Sequence, residues 1–462
     1  MKKFIADKQF YKYVFAITGP IIIQNGITNF VSMLDNIMIG QVGTAQMSGV
    51  AIVNQLLFIL HLLLFGGNAG AGIFTAQYHG NGDVDGVRNT TRFKIIISAV
   101  ITAISAVVLY FFAQPLIMMF LNSGNDIANI TLALDSAKSY LFVMLIGLLP
   151  TAIVHIYSST LRETGETVVP MKAGAVAVVV NLVLNYLLIF DHFGHKGMGV
   201  TGAAIATVIS KYIEAAYILI WTHRSADKNP FVYGLYSSFR LPKALVSDVM
   251  KKGLTIMINE GLWSIGMTML MQCYSMRGLG VVAAVNITNT IFNVFNIVYI
   301  ALGDAVAIIV GQLLGSGKMD EAKDTDNKLL FFSAGICVVI GLIVIILAPL
   351  FPMMYNTEQD VKDLATILIR IMGAFMPMHS LLHACYFTIR SGGKTFITFL
   401  FDSCFMWVVS VPVCFVLSHY TNIPILPLYL VAQLCDIIKL AIGLVLVSKN
   451  VWINNLVADK TA

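Results

Sequence analysis

Twelve apolar segments divide this chain, at roughly 13–39, 46–76, 93–114, 136–160, 168–190, 198–222, 252–275, 281–312, 328–351, 363–387, 396–418 and 426–448. Each is about 20 residues or longer, enough for a tilted helix across roughly 30 Å of hydrocarbon. None alternates polar with apolar positions, as the strands of a membrane barrel must. Only 11% of the residues are charged, against about 25% in soluble domains. The expected fold is therefore an all-α polytopic membrane protein with twelve transmembrane helices. The opening MKKFIADKQFYKYVFAITGPIII has the look of a signal peptide. Its apolar run continues past Val31 without a small-residue cleavage site, so it reads as an uncleaved first span. The six cysteines, Cys273, Cys337, Cys385, Cys404, Cys414 and Cys435, lie within apolar spans of the second half. They show no metal or redox spacing and read as small buried hydrophobes.

Basic residues crowd one set of loops. Lys2, Lys3, Lys8 and Lys12 precede the first span, and Arg88, Arg92 and Lys94 follow the second. Arg224, Lys228, Arg240, Lys243, Lys251 and Lys252 follow the sixth, and Lys449 and Lys460 follow the twelfth. The opposite loops carry Lys196, Arg277 and Lys362. This asymmetry places both termini in the cytoplasm of a multi-pass plasma-membrane protein. The chain also repeats. An ungapped shift lays 20–88 onto 255–323, so that Gln77 meets Gln312, Gly80 meets Gly315 and Gly82 meets Gly317. Further on, LRETGET at 161–167 meets IRSGGKT at 389–395. Two six-helix bundles follow, residues 1–222 and 252–462, joined by a cytoplasmic linker at 223–251. An even count of helices relates the bundles by a pseudo-two-fold axis along the membrane normal.

Asp35 lies deep in the first span, on one helical face with Gln24, Thr28 and Ser32. An acid inside a span is costly, and its default reading is a functional site that faces a cavity. Asn181 and Asn185 are four apart and share a face in the fifth span. Glu260 lies in the seventh span, where a tie to a serine or histidine competes with a coupling role. Trp263 and Met267 stand near it among several methionines, a composition suited to promiscuous binding surfaces as well as to packing. Asp304 is a candidate cavity acid in the eighth span. Asp402 is expected to pair with Arg390 or Lys394, Lys211 with Glu214, and Asp436 with Lys439.

The P-x-x-x-Q and L-D-N-I-M-I-G of the first span, the doubled Q-x-x-G-x-G and the doubled arginine-containing G-x-T segments recur in order. So do N-x-x-x-N-x-x-L-I-F and G-V-T-G-A-A-I-A-T over spans five and six. With these, the chain resembles the multidrug and toxic compound extrusion (MATE) transporters over nearly its whole length. The resemblance implies export of organic cations and other drugs in exchange for protons or sodium ions. It places the cation or proton site of the first half on Asp35, Asn181, Asn185 and Thr207. These four are the metal ligands if sodium is the coupling ion. Some relatives carry a second acid at the position of Asn185. Glu260 matches a helix-7 acid used in some branches, and the helix-10 acid of those branches falls on His379. Substrate contacts are expected from Gln24, Thr28, Trp263, Met267, His379 and Asp304.

The expected partners are small organic, cationic substrates and the lipid bilayer, with no nucleic acid, no cofactor beyond the coupling ion, and a monomeric state. A flippase for a lipid-linked precursor is the alternative within the same superfamily. Its pyrophosphate calls for basic cavity residues, whereas the first-span stripe is acidic and amidic. A membrane enzyme is disfavoured, because the chain shows no HExxH, G-x-S-x-G or P-loop motif.

Overall fold

The computed structural model describes residues 6–121, 127–191, 197–355 and 357–458, without the side chains of 127–129. Lys2, Lys3, Lys196 and Lys460 of the orientation argument lie outside these residues. Among the described residues there is no strand, and twelve helices are long and apolar enough to cross a membrane. In chain order they are α1 (Lys8–Gly40), α2 (Thr44–Gly80), α3 (Val84–Phe111), α4 (Ile127–Glu163), α5 (Val168–Ile189) and α6 (Gly199–Arg224). The second six are α7 (Lys243–Ser275), α8 (Leu279–Gly315), α9 (Met319–Leu347), α10 (Gln359–Ser391), α11 (Thr395–Tyr420) and α12 (Ile425–Ser448). Helix α11 is irregular: Leu400–Cys404 and Met406–Ser410 are π-helical. Pro20, Pro150 and Pro377 sit inside helices that continue on both sides of them.

The chain forms two compact units. One comprises Ile23–Thr75 and Val84–Gly253; the other comprises Met1–Ile22, Ala76–Asp83 and Leu254–Ala462. The long helices α1 and α2 each divide between the two units along their length. Val14, Ile17 and Ile21 of α1 are buried with Ala305, Ile309 and Leu314 of α8. The residues of α1 beyond Ile22 belong to the other unit, where Ile39 joins a core with Val53, Leu141 and Val200. The stretch read as a linker is docked. Arg92 donates to the carbonyls of Leu235 at 2.9 Å and Gly234 at 2.6 Å, and Leu235 is fully buried. In the other unit Arg277 holds the α11–α12 turn through the carbonyls of Leu417, Ser418, Thr421 and Ile423.

The doubled Q-x-x-G-x-G motif has a position-by-position explanation. Gly82 and Gly317 have φ of +74° and +75°, a left-handed turn that ends α2 and α8. A Cβ on Gly80 would stand 1.9 Å from the carbonyl oxygen of Gln312, and one on Gly315 would stand 1.9 Å from that of Gln77. The helix ends therefore pack backbone to backbone, each glycine against the other repeat's glutamine. The buried Gln77 amide donates to Ser391 O at 2.9 Å and Asn454 O at 3.2 Å, and accepts from Leu456 N at 2.7 Å.

Asn454 and Leu456 belong to a segment after α12 that hydropathy did not single out. Asn450 turns the chain at φ +56°, and Trp452 is buried beside Leu314 and Ile389. Asn454 Nδ2 donates to Gly392 O at 3.2 Å, and Asn455 Nδ2 donates to Gly315 O at 3.1 Å. This strap closes over the ends of α2, α8 and α10.

Candidate functional site

In the unit that holds most of the first half, α1, α5 and α6 bring four predicted residues together. Asn185 Nδ2 donates to Asp35 Oδ1 at 2.6 Å and to Asn181 Oδ1 at 3.1 Å. Asn181 Nδ2 donates to Thr207 Oγ1 at 3.4 Å, and Thr207 Oγ1 donates to Ala203 O at 3.0 Å. Both asparagines are buried, while Asp35 and Thr207 are half-buried. Asn185 Oδ1 is also buried and has no donor among the described residues. The ion pairs formed by the described residues of this unit are Arg88–Asp85, Lys94–Glu163 and Lys211–Glu214, and Asp35 is in none of them. The site is thus rich in oxygen acceptors and carries a carboxylate. A hard cation suits such a donor set, and so does a proton on the acid.

The rest of the α1 stripe divides. Gln24 is buried and accepts from Arg162 Nη2 at 2.5 Å. Thr28 and Ser32 are exposed, and their hydroxyls donate to the α1 carbonyls of Gln24 and Thr28. Lys211 pairs with Glu214 at 2.7 Å, as the spacing suggests.

In the other unit, Glu260 accepts from Tyr386 Oη at 3.1 Å. Its tie is to a tyrosine and not to a serine or histidine. The neighbouring Asn259 is the hub. Its Nδ2 donates to Asp402 Oδ2 at 2.9 Å and to Tyr386 Oη at 3.3 Å. Its backbone carbonyl and Oδ1 accept from Ser403 Oγ at 2.6 and 2.8 Å. Asp402 and Ser403 both lie in the first π-helical segment of α11. Asp402 Oδ1 is bonded by Lys439 Nζ of α12 at 2.5 Å. This corrects two expectations: Asp402 pairs with neither Arg390 nor Lys394, and Lys439 reaches across to α11 and not along its own helix to Asp436. The cause is burial. Lys439 is 4% exposed, and a buried ammonium needs a carboxylate that faces it inside the bundle.

The remaining predicted residues of this unit are spread over three helices. His379 bonds Gln433 Oε1 through Nε2 at 2.8 Å. Trp263 and Met267 are exposed on α7. Asp304 is half-buried on α8, next to Gly303, whose α-carbon lies against the Phe387 ring. Asn259, Tyr386 and Lys439 were not singled out as site residues from sequence. The signal available was the repeat, which lays Gln24 onto Asn259.

The MatE family model matches residues 20–187 and 255–416, which include Asp35, Asn181 and Asn185 of the first cluster and Asn259, Glu260, Tyr386 and Asp402 of the second. The chain belongs to the MatE family. The MatE chain is 23% identical to the probable multidrug resistance protein NorM of Thermotoga maritima, over 91% of this chain and 88% of that one. It is 24% identical to the multidrug resistance protein PmpM of Pseudomonas aeruginosa, over 87% of this chain and 83% of that one. Its fold matches an outward-facing multidrug resistance MATE family transporter of the MOP superfamily with a TM-score of 0.86, at 17% identity and 97% coverage of both chains. These twelve helices in two bundles are the MATE fold.

Proposed function

We propose that this protein is a multidrug efflux antiporter of the plasma membrane. It exports small organic cations in exchange for protons or sodium ions by alternating access. The observation that carries the reading is the Asp35 cluster: a carboxylate within a membrane span, bonded by an uncharged amide, beside a buried amide oxygen that lacks a donor. Such a site gains a favourable partner when a cation or proton arrives. Ion binding at Asp35 favours the conformation that releases drug outward; loss of the ion restores a charge that attracts a cationic drug from the cytoplasm. Exchange follows because a ligand shifts a two-state equilibrium only where its affinities for the states differ. The names of the NorM and PmpM relatives support the drug substrates. Against the flippase reading, Lys94 and Lys211 are engaged by Glu163 and Glu214.

The test is exchange of a fluorescent organic cation in proteoliposomes, with proton and sodium gradients imposed separately. Wild type is expected to respond to one gradient, and Asp35→Asn to neither. Full ion-driven exchange by Asp35→Asn removes the central assignment.

A further inference from the structure

The two repeats treat their buried charges differently. The offset that lays Leu161 onto Ile389 also lays Asn181 onto Val409, Asn185 onto Val413 and Thr207 onto Cys435, and the offset of the first helices lays Asp35 onto Leu270. The oxygen-rich cluster of the first half thus has an apolar counterpart in the second. The reverse holds for lysine. Lys211 falls on Lys439, and Gly174 falls on Asp402. A Cβ on Gly174 would stand 3.6 Å from Gln24 Cγ and 3.7 Å from Glu214 Oε1. Each unit therefore sets a lysine–acid pair close to the polar residue of its leading helix, Gln24 or Asn259. In the first half the acid is on the lysine's own helix, and Lys211 is 36% exposed. In the second half the acid comes from the π-helical segment, and the lysine side chain is 5% exposed.

From this geometry we infer that Lys439 is a tethered counter-cation. Its ammonium is bonded to Asp402 and lies 5.6 Å above the Phe401 ring, while Asn259 and Tyr386 connect Asp402 to Glu260. The ammonium takes the place of an exchangeable cation at Asp402 while Glu260 is held by the Tyr386 hydroxyl, and the coupling ion of the antiporter enters at Asp35 alone. Asp35 has an amide donor and an acceptor-rich surround; Asp402 has a covalently held cation. Lys439 is in this sense a specificity-determining residue that sets the number of ion sites at one. The inference rests on the antiport reading for its consequence, but its test does not depend on transport.

The measurement is equilibrium binding of radioactive sodium to purified protein at alkaline pH. Asp35→Asn is expected to lose saturable sodium binding. Asp35→Asn combined with Lys439→Gln is expected to gain a new saturable site, because a free cation can then occupy the place of the ammonium. Adding Asp402→Asn is expected to abolish it again. Persistent saturable binding in Asp35→Asn with Lys439 intact overturns the inference, and so does the absence of any gain on Lys439→Gln. If Lys439→Gln cannot be purified in ordinary buffer, it is prepared in sodium or methylammonium salts. Recovery of folded protein in either supports the inference. Failure in both, while Lys439→Gln with Asp402→Asn folds, overturns it. A wild type that shows no ion-driven drug exchange removes the antiport reading and leaves these binding outcomes readable.

Discussion

Asp35 and Lys439 are both ionisable side chains within candidate membrane spans, and they meet different partners, an amide at Asp35 and a carboxylate at Lys439. Asn185 makes the difference at Asp35, since one amide group both bonds the carboxylate and holds Asn181 in line. A hydrogen bond to a charged group contributes about 1.5–3 kcal/mol, which corresponds to roughly a tenfold change in affinity or more. Because that bond stabilises the ion-free carboxylate, its loss strengthens proton binding, so Asn185→Leu is expected to lower the proton concentration that gives half-maximal exchange by about that factor. Titrating the ion at saturating substrate measures it. An unchanged half-saturation point would make Asn185 an adhesive between α1 and α5 with no part in ion binding.

Among the elements, the ends of α2 and α8 show why neighbouring glycines differ in what they tolerate. Gly82 has open space around it, with only its positive φ to satisfy, so Gly82→Ala is expected to cost about 1–2 kcal/mol. A Cβ on Gly80 would stand 1.9 Å from the Gln312 carbonyl oxygen, which cannot swing aside, so Gly80→Ala is expected to be the more damaging. Thermal unfolding of the two purified variants, side by side, checks the order; equal losses would mean that the contact yields easily. The spans themselves were legible because hydrophobic length is written locally. The Asp35 cluster was partly legible from the four-residue spacing of Asn181 and Asn185 and from family resemblance. Its orphan oxygen was not, because satisfaction of a buried atom depends on three helices at once. The Lys439–Asp402 pair was missed for a similar reason. Sequence offers Asp436 one turn away, whereas the choice of Asp402 depends on how α11 and α12 face each other. The π-helical turns that present Asp402 and Ser403 to Asn259 leave no mark in periodicity either.

For the molecule as a whole, the strap after α12 ties distant stretches of chain into one unit. A chain that ends at Ser448 loses the Trp452 anchor and two of the three bonds to the Gln77 side chain. Leaving such buried groups without partners costs about 1–3 kcal/mol each. The truncated protein is expected to unfold at a lower temperature than wild type, and an unchanged unfolding temperature would show the strap to be dispensable. The strap also has a consequence in time. Asn454 and Leu456 lie 377 and 379 residues downstream of Gln77. At about 5–20 residues per second, the ribosome delivers these partners roughly 20–80 s after the glutamine itself. The end of α2 therefore cannot mature with its own half of the protein. It stays unfinished until nearly everything after it has been translated, and any stall in between lengthens the interval during which quality-control proteases can find it.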